Sequence, residues 1–438
     1  MKYLILTFFS ALFIQLSVAQ NTPTLVPYKT EKNVLDGFMD KRFGMFIHWG
    51  PVSLRGTEIG WSRTSVIPKA EYDELYHDFN PALFDADVWV KTAKQAGMKY
   101  ITITAKHHDG FCLWPTKFTS YNIMNTPFKK DVVGALAKAC NKYGIKLCIY
   151  YTVLDWYDTR YPIRVSDSKP ETTGNMVEFV QLMKNQLNEL VTNYHPYMLW
   201  FDGNWESPWT KDMGADIYNY LKKLDKNVII NNRLGKGTHK VMTNETIGDY
   251  ATPEQEVGEI NMNYPWESCI TICNQWAWKP NDKMKSLNEC IQKLVSTAAG
   301  NGNLLFNVGP MMDGRMELRQ VNRLKQMGAW LNNYGEAIYG TKGGPYRPNS
   351  AYAATRKGDK IYIHIFNADH HQISLPNIPN LKVMSAHFVK GANLAFDQNS
   401  TNINIQLPNQ LPDENCSVIE LKMNGNTEMI PLIEFQKK

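Results

Sequence analysis

Short apolar runs alternate with longer stretches in which apolar positions recur every three or four residues, and this texture holds for about three-quarters of the chain. The runs at 43–48, 99–105, 145–151, 197–202, 227–232, 246–250, 268–273 and 302–308 predict strands. The stretches at 85–96, 131–143, 175–194, 213–224 and 286–299 predict helices between them, and a further helix is expected at 317–333. Asp85 and Asp131 stand where helix N-caps belong, and Gly97 and Gly144 follow the helices they would end. Alternating strands and helices imply parallel βαβ units. Eight strand candidates imply a (β/α)8, TIM-like barrel in the α/β class. Residues 233–245 and 251–267 carry no helical period, so the barrel should be irregular between its fifth and seventh strands. From about residue 345 the pattern changes to strands at 360–366, 382–389, 402–407 and 417–423 with turn residues and no helices. That predicts a C-terminal antiparallel β-sandwich.

The first nineteen residues follow a different rule. Lys2 opens a short positive region, Leu4 to Val18 is apolar, and Ser17-Val18-Ala19 has small residues where a signal peptidase cuts. The expected organisation is a signal peptide over 1–19, a catalytic barrel over 20–344 and a sandwich over 345–438. No later run is long enough to span a bilayer, so a soluble, secreted or periplasmic protein is expected. Length 438, with 43% hydrophobic and 20% charged residues, excludes a disordered or collagen-like chain. A net charge of +5 with no basic run argues against a nucleic-acid partner. Seven cysteines cannot all pair internally, and Cys140, Cys148 and Cys290 fall in apolar patterns that read as buried thiols. Cys269 and Cys273 sit on one strand, where four residues span roughly 13 Å, too far for a disulfide.

Barrel enzymes carry their chemistry at the C-terminal ends of the strands. Those ends present His48, then His107 and His108, then Tyr150-Tyr151, then Trp200 and Asp202, then Arg233, with Glu254 beyond the sixth strand and Trp276 after the seventh. Indole faces suit the C–H faces of a sugar, and imidazoles and carboxylates suit its hydroxyls. Individually these residues have plainer readings. Asp202 could cap a helix, Arg233 could pair with a surface acid, and Glu58 and Trp61 could be ordinary loop residues. His107 and His108 could bind a metal, but adjacent strand residues point to opposite faces and no third ligand lies at a suitable spacing.

Five blocks carry a resemblance: FGMFIHWG at 43–50, KHHDGFCLW at 106–114, YYTVLDWY at 150–157, LWFDG at 199–203 and NLLFNVGP at 303–310. In order and spacing they resemble the α-L-fucosidases of glycoside hydrolase family 29, over residues 30 to about 345, and that family also carries a C-terminal β-sandwich. The resemblance implies retaining hydrolysis of terminal α-L-fucosyl linkages, with Asp202 as nucleophile. It implies that His48, His107, His108, Tyr151 and Trp200 hold the fucose, that Glu58 and Trp61 supply a further sugar contact, and that Trp276 packs on the methyl group. Arg233 resembles an Arg beside the acid/base, whose identity varies in the family. Glu254 is the expected acid/base rather than Glu267, because Glu267 starts a strand at the stability face of the barrel. Retaining chemistry needs an ionised and a protonated carboxyl roughly 5–5.5 Å apart and no cofactor; histidines on neighbouring strands would hold Asp202 ionised. The expected partner is a fucosylated glycan. A catalytically silent fucose-binding protein, or a hydrolase of a related sugar such as an α-L-galactoside, are the alternatives, and oligomeric state stays open.

Overall fold

The computed structural model describes residues 29–164, 173–367 and 371–433; the expected signal peptide lies outside them. Seven parallel strands form one sheet: β1 (Phe43–Ile47), β2 (Tyr100–Lys106), β3 (Lys146–Thr152), β4 (Met198–Asp202), β5 (Ile229–Ile230), β6 (Glu267–Thr271) and β7 (Asn303–Val308), in the order β5-β4-β3-β2-β1-β7-β6. The accompanying helices are α1 (Lys32–Met39), α2 (Lys69–Glu74), α3 (Ala86–Gln95), α4 (Val132–Tyr143), α5 (Met176–Tyr194), α6 (Lys211–Leu224), α7 (Leu287–Ala299) and α8 (Leu318–Tyr334). Asp85 and Asp131 cap α3 and α4 through the backbone N–H groups of Val88 and Gly134, and Gly144 closes α4 in the left-handed conformation.

Strand alternation sorts the side chains into two sets. Met45, Ile47, Ile101, Ile103, Leu147, Ile149, Leu199 and Phe201 pack outward with the helices. Phe46, Tyr100, Cys148, Tyr150, Met198, Trp200, Cys269 and Leu305 fill the barrel. Gly44 shares the inward face, and a Cβ there would stand 2.2 Å from the Tyr100 ring; the missing side chain makes room for that tyrosine.

The expected strand at 246–250 does not form. Gly248 turns the chain at φ +138°, and a Cβ there would meet the Asn231 carbonyl at 2.4 Å. Asp249 then binds β5 with its side chain: its Oδ2 accepts the Ile230 N–H at 2.8 Å, while its own N–H donates to the Ile230 carbonyl at 2.6 Å. A carboxylate has taken the place of a ladder carbonyl, and it is buried against Thr30, Tyr218 and Lys222. The seam between β5 and β6 is bridged by isolated pairs at Asn231–Tyr250, Ala251–Trp266 and Glu254–Cys269. The barrel is therefore irregular where no helical period was found, with seven strands rather than eight in its sheet.

The C-terminal part has two antiparallel sheets. One is β8 (Lys342–Gly343), β9 (Tyr352–Lys357), β10 (Lys360–Ile365), β12 (Val383–Phe388) and β15 (Ser417–Met423); the other is β11 (Gln372–Pro376), β13 (Phe396–Gln398) and β14 (Asn402–Gln406). Ile361, Ile363, Ile419 and Leu421 from the first meet Ile373, Leu375, Ile403 and Ile405 from the second in one core. Trp330 of α8 donates its indole N–H to the Cys416 carbonyl at 2.9 Å, tying sandwich to barrel. All seven cysteines are buried and unpaired. Among the described residues no helix is long and apolar enough to cross a membrane.

Candidate active site

A cavity of about 220 Å³ opens at the C-terminal ends of the strands. That is below the range of drug-sized pockets and suits one monosaccharide ring. Its floor and walls are Phe46, His48, His107, Tyr150, Trp200, Asp202, Arg233, Cys269 and Trp276, and its rim is Trp61, Trp205, His239 and Glu254. A larger cleft of about 810 Å³ at the opposite strand ends, around Lys146 and Tyr197, has a single carboxylate, Asp225, and no pair to work with.

Asp202 is the last residue of β4 and no helix cap, since α6 is capped by Thr210. Its Oδ1 accepts from Arg233 Nη1 at 2.9 Å and its Oδ2 from the Tyr150 hydroxyl at 3.0 Å. Burial works to raise its pKa, but the Arg233 charge, His108 and these hydrogen bonds outweigh it and hold the carboxyl below the usual aspartate value. Arginine and tyrosine, rather than histidines, thus supply the donors: His108 Nε2 lies 3.6 Å from Oδ2, beyond a hydrogen bond.

Arg233 connects two carboxylates. Its Nη1 also lies 2.8 Å from Glu254 Oε2. Thr252 fixes the guanidinium through its hydroxyl, 2.9 Å from Nε, and its carbonyl, 3.0 Å from Nη2. The plane rests on the Trp200 ring at 4.7 Å. Glu254 stands on a loop docked against β6, where Gln255 N–H donates to the Cys269 carbonyl and Cys269 N–H to the Pro253 carbonyl. Because one nitrogen touches both carboxylates, their nearest oxygens are no further apart than those two bonds laid end to end.

The three histidines are neutral. Burial lowers the pKa of His48 to about 3 and of His108 to about 4, and drives that of His107 well below its ordinary value. His48 Nδ1 is 2.6 Å from Asn307 Oδ1, and the Asn307 amide NH2 donates to the Trp276 carbonyl at 2.7 Å. That second bond fixes the amide oxygen toward His48, so Nδ1 carries the proton and Nε2 is left as an acceptor for a hydroxyl. His107 stacks on Tyr150 at 5.4 Å and 9°, and its Nδ1 is buried without a partner. His107 and His108 turn to the same side, their rings 4.1 Å apart. The opposite-face rule fails for them because β2 ends at Lys106, after a register shift between Thr104 and Lys106. Among the described residues no group of three or more His, Cys, Asp or Glu is arranged to hold a metal ion.

Two expected contacts are placed elsewhere. Tyr151 points outward: its hydroxyl donates to Gln186 Oε1 of α5 at 2.6 Å and Lys106 lies over its ring. Tyr150 takes the cavity position, because it pairs in register with Trp200 and so shares that residue's face. Glu58 does not line the cavity; its carboxylate accepts the N–H groups of Trp276 at 2.9 Å and Ala277 at 3.0 Å and so fastens the loop that carries Trp276. Burial raises its pKa in spite of those donors. Trp276 packs beside Phe46 and His48. Phe46, Trp205, His239 and Cys269 were not read as site residues from sequence. Phe46 and Cys269 were detectable through the inward register, while Trp205 and His239 sit on loops with no periodic signal.

Glu267 is wholly buried inside the barrel, where it accepts from the Tyr100 hydroxyl and from Trp200 Nε1 at 3.1 Å. Burial raises its pKa to about 7 against these donors.

Known proteins resemble this chain over most of its length. The family model described as Alpha-L-fucosidase matches residues 13–336. The tissue α-L-fucosidase of Bos taurus is 31% identical over 355 residues, 74% of this chain and 73% of the relative. The α-L-fucosidase isoenzyme 1 structure from Paenibacillus thiaminolyticus superposes with a TM-score of 0.81 at 32% identity, covering 89% of this chain and 99% of that one. A GH29 α-L-fucosidase of Bacteroides thetaiotaomicron, solved as a trapped covalent intermediate in complex with 2-fluoro-fucosyl fluoride, gives a TM-score of 0.82 at 30% identity over 91% of this chain and 97% of that one. A shared barrel, a shared sandwich and a family match over most of the length lead to one assignment: this chain belongs to the α-L-fucosidase family of glycoside hydrolases.

Proposed function

We propose that the protein is an exported, exo-acting, retaining α-L-fucosidase that releases terminal α-L-fucose from glycans. The observation that carries this reading is Arg233 held between Asp202 and Glu254 at the edge of a cavity sized for one sugar ring. The limit that Arg233 sets on the gap between their nearest oxygens admits the roughly 5–5.5 Å of retaining enzymes. Asp202, ionised, attacks the anomeric carbon while the bond to the leaving oxygen breaks and Glu254 gives that oxygen its proton. Glu254 then takes a proton from water, the water oxygen attacks the same carbon, and Asp202 is released. Neutral His48, His107 and His108, with Trp200, are the groups assigned to the sugar hydroxyls and ring, and Trp276 with Phe46 offers an apolar wall for the methyl group. Trp61 closes the rim. Export rests on the pattern of residues 1–19, and buried thiols suit an oxidising destination because they are unreactive.

The test is hydrolysis of aryl α-L-fucoside beside aryl α-L-galactoside, with the first-formed anomer followed by NMR. Fucoside turnover yielding α-L-fucose first is expected. A β-anomer would refute retention, a faster galactoside would refute fucose as substrate, and binding without turnover would make the protein a lectin-like relative.

A further inference from the structure

Of the twelve tryptophans, only Trp61 and Trp205 are exposed, at 38% and 41%, and both stand at the mouth of the cavity. Their rings stack 5.9 Å apart at 17°. Each also meets the His108 ring edge-on, at 5.6 and 5.4 Å, and His108 borders Asp202. Trp61 is backed in turn by the buried Trp156. Large aromatic rings left in water forfeit the favourable burial that the other indoles gain, so exposed ones gathered at a cavity mouth mark a binding surface.

The loop that presents Trp205 is held firmly. The Lys236 ammonium donates to the carbonyls of Asn204 at 3.0 Å, Trp205 at 3.3 Å and Glu206 at 2.6 Å. On the next residue, the Glu206 carboxylate accepts from Trp156 Nε1 at 3.0 Å and the Tyr161 hydroxyl at 2.6 Å. An exposed indole on a tethered backbone is pre-organised for a ligand, since little ordering remains to be done when the ligand arrives.

The cavity holds one ring, so the second ring of a disaccharide must lie over its rim. Glu254, assigned to protonate the leaving oxygen, is the more exposed of the two carboxyls, 34% against 13% for Asp202. The leaving group therefore emerges at the rim, where Trp205 stands. We infer that Trp205, supported by Trp61, is the platform for the leaving group, taking the apolar C–H face of the pyranose to which fucose is attached, and that Lys236 is its positioning residue. This rests on the fucosidase reading above and adds to it the residues that receive the leaving saccharide ring.

The full chain is assayed with α-L-fucosyl fluoride, whose leaving group has no ring, and with a fucosyl disaccharide. In Trp205→Ala the ratio of kcat/KM for disaccharide to that for fluoride should fall about tenfold, the size of one good aromatic contact. Trp205→Phe should recover most of it. Lys236→Ala should lower the same ratio, mainly through KM, and Lys236→Arg should restore it. Equal losses on both substrates in Trp205→Ala would overturn the platform and make the ring a support of the fucose pocket. An unchanged ratio would overturn it by placing the leaving group elsewhere. Absence of turnover of either substrate by the wild-type chain would overturn the fucosidase reading, and the platform with it.

Discussion

Glu267→Gln should change how stability depends on pH. Glu267 is sealed in the barrel interior and its pKa rises from 4.5 to about 7 because burial penalises the charge more than Tyr100 and Trp200 repay it. Between those pH values the folded chain keeps a proton that the unfolded chain has released. The stability from this group is thus fully present below about pH 4.5 and is lost as pH rises through 7. The loss amounts to about 3 kcal/mol in all, most of it between pH 5 and pH 8. Glutamine cannot ionise, so the variant lacks this component. It has a fixed offset instead, because its amide NH2 cannot accept from both donors and one of them loses its partner, at about 1–3 kcal/mol. The assay is urea unfolding of both proteins, followed by tryptophan fluorescence, at pH 5, 6, 7 and 8. Asp109, raised to about 6 by burial, adds a slope of the same sign, but it is common to both proteins and cancels in the difference. The wild-type chain should be the more stable at pH 5, and its advantage should shrink or reverse by pH 8. A difference independent of pH would refute the argument that the buried carboxyl is neutral at acid pH and charged above neutrality.

Three further outcomes follow from the same contacts. Asp202→Gly should lower kcat on the order of a thousandfold or more, and added azide should restore turnover with a β-fucosyl azide as product; azide without effect would count against a nucleophilic role. Glu254→Ala should slow substrates with poor leaving groups far more than aryl fucosides, because only the former need a proton, whereas the same selectivity in Glu267→Ala would exchange the roles of the two glutamates. Gly328→Ala should destabilise the chain by about 1–3 kcal/mol, since a Cβ there would stand 1.8 Å from the Gln95 carbonyl where α8 crosses the end of α3; an unchanged urea midpoint would show that this helix contact relaxes freely.

Much of this architecture was legible in the chain because it rests on local rules. Short apolar runs located seven of the eight expected barrel strands, caps at Asp85 and Asp131 located two helices, and the later run of strands without helices announced the sandwich. What misled was the point where a local rule stops. Tyr150 and Tyr151 are equally aromatic, and only the register with Trp200 separates them. His107 and His108 escape alternation because the strand has already ended. Glu58 has the chemistry of a sugar ligand but spends it on two loop N–H groups that are 218 and 219 residues distant in sequence. Segment 246–250 has strand composition, yet Asp249 satisfies β5 with a side chain, which no propensity anticipates. The part played by Arg233 also depends on a meeting of distant loops, since the spacing of Asp202 and Glu254 along the chain says nothing of a shared guanidinium.

The seam that Asp249 makes has a consequence for how such a scaffold can diversify. Elsewhere in the sheet neighbouring strands are joined by ladders, so inserting or deleting a residue within one would slip a register and turn a row of side chains inside out. Between Ile230 and Glu267 the chain is tacked down by a few isolated bridges and one carboxylate. The loops between those tacks can lengthen or shorten without slipping a ladder, while Glu254 is itself a tack, bridged to Cys269 of β6. The residue proposed as nucleophile thus ends a laddered strand, and the proposed acid/base is held on a loop by one bridge. That division leaves the loops on either side of Glu254 free to be rebuilt for a different glycan while Asp202, Arg233 and Glu254 keep their places.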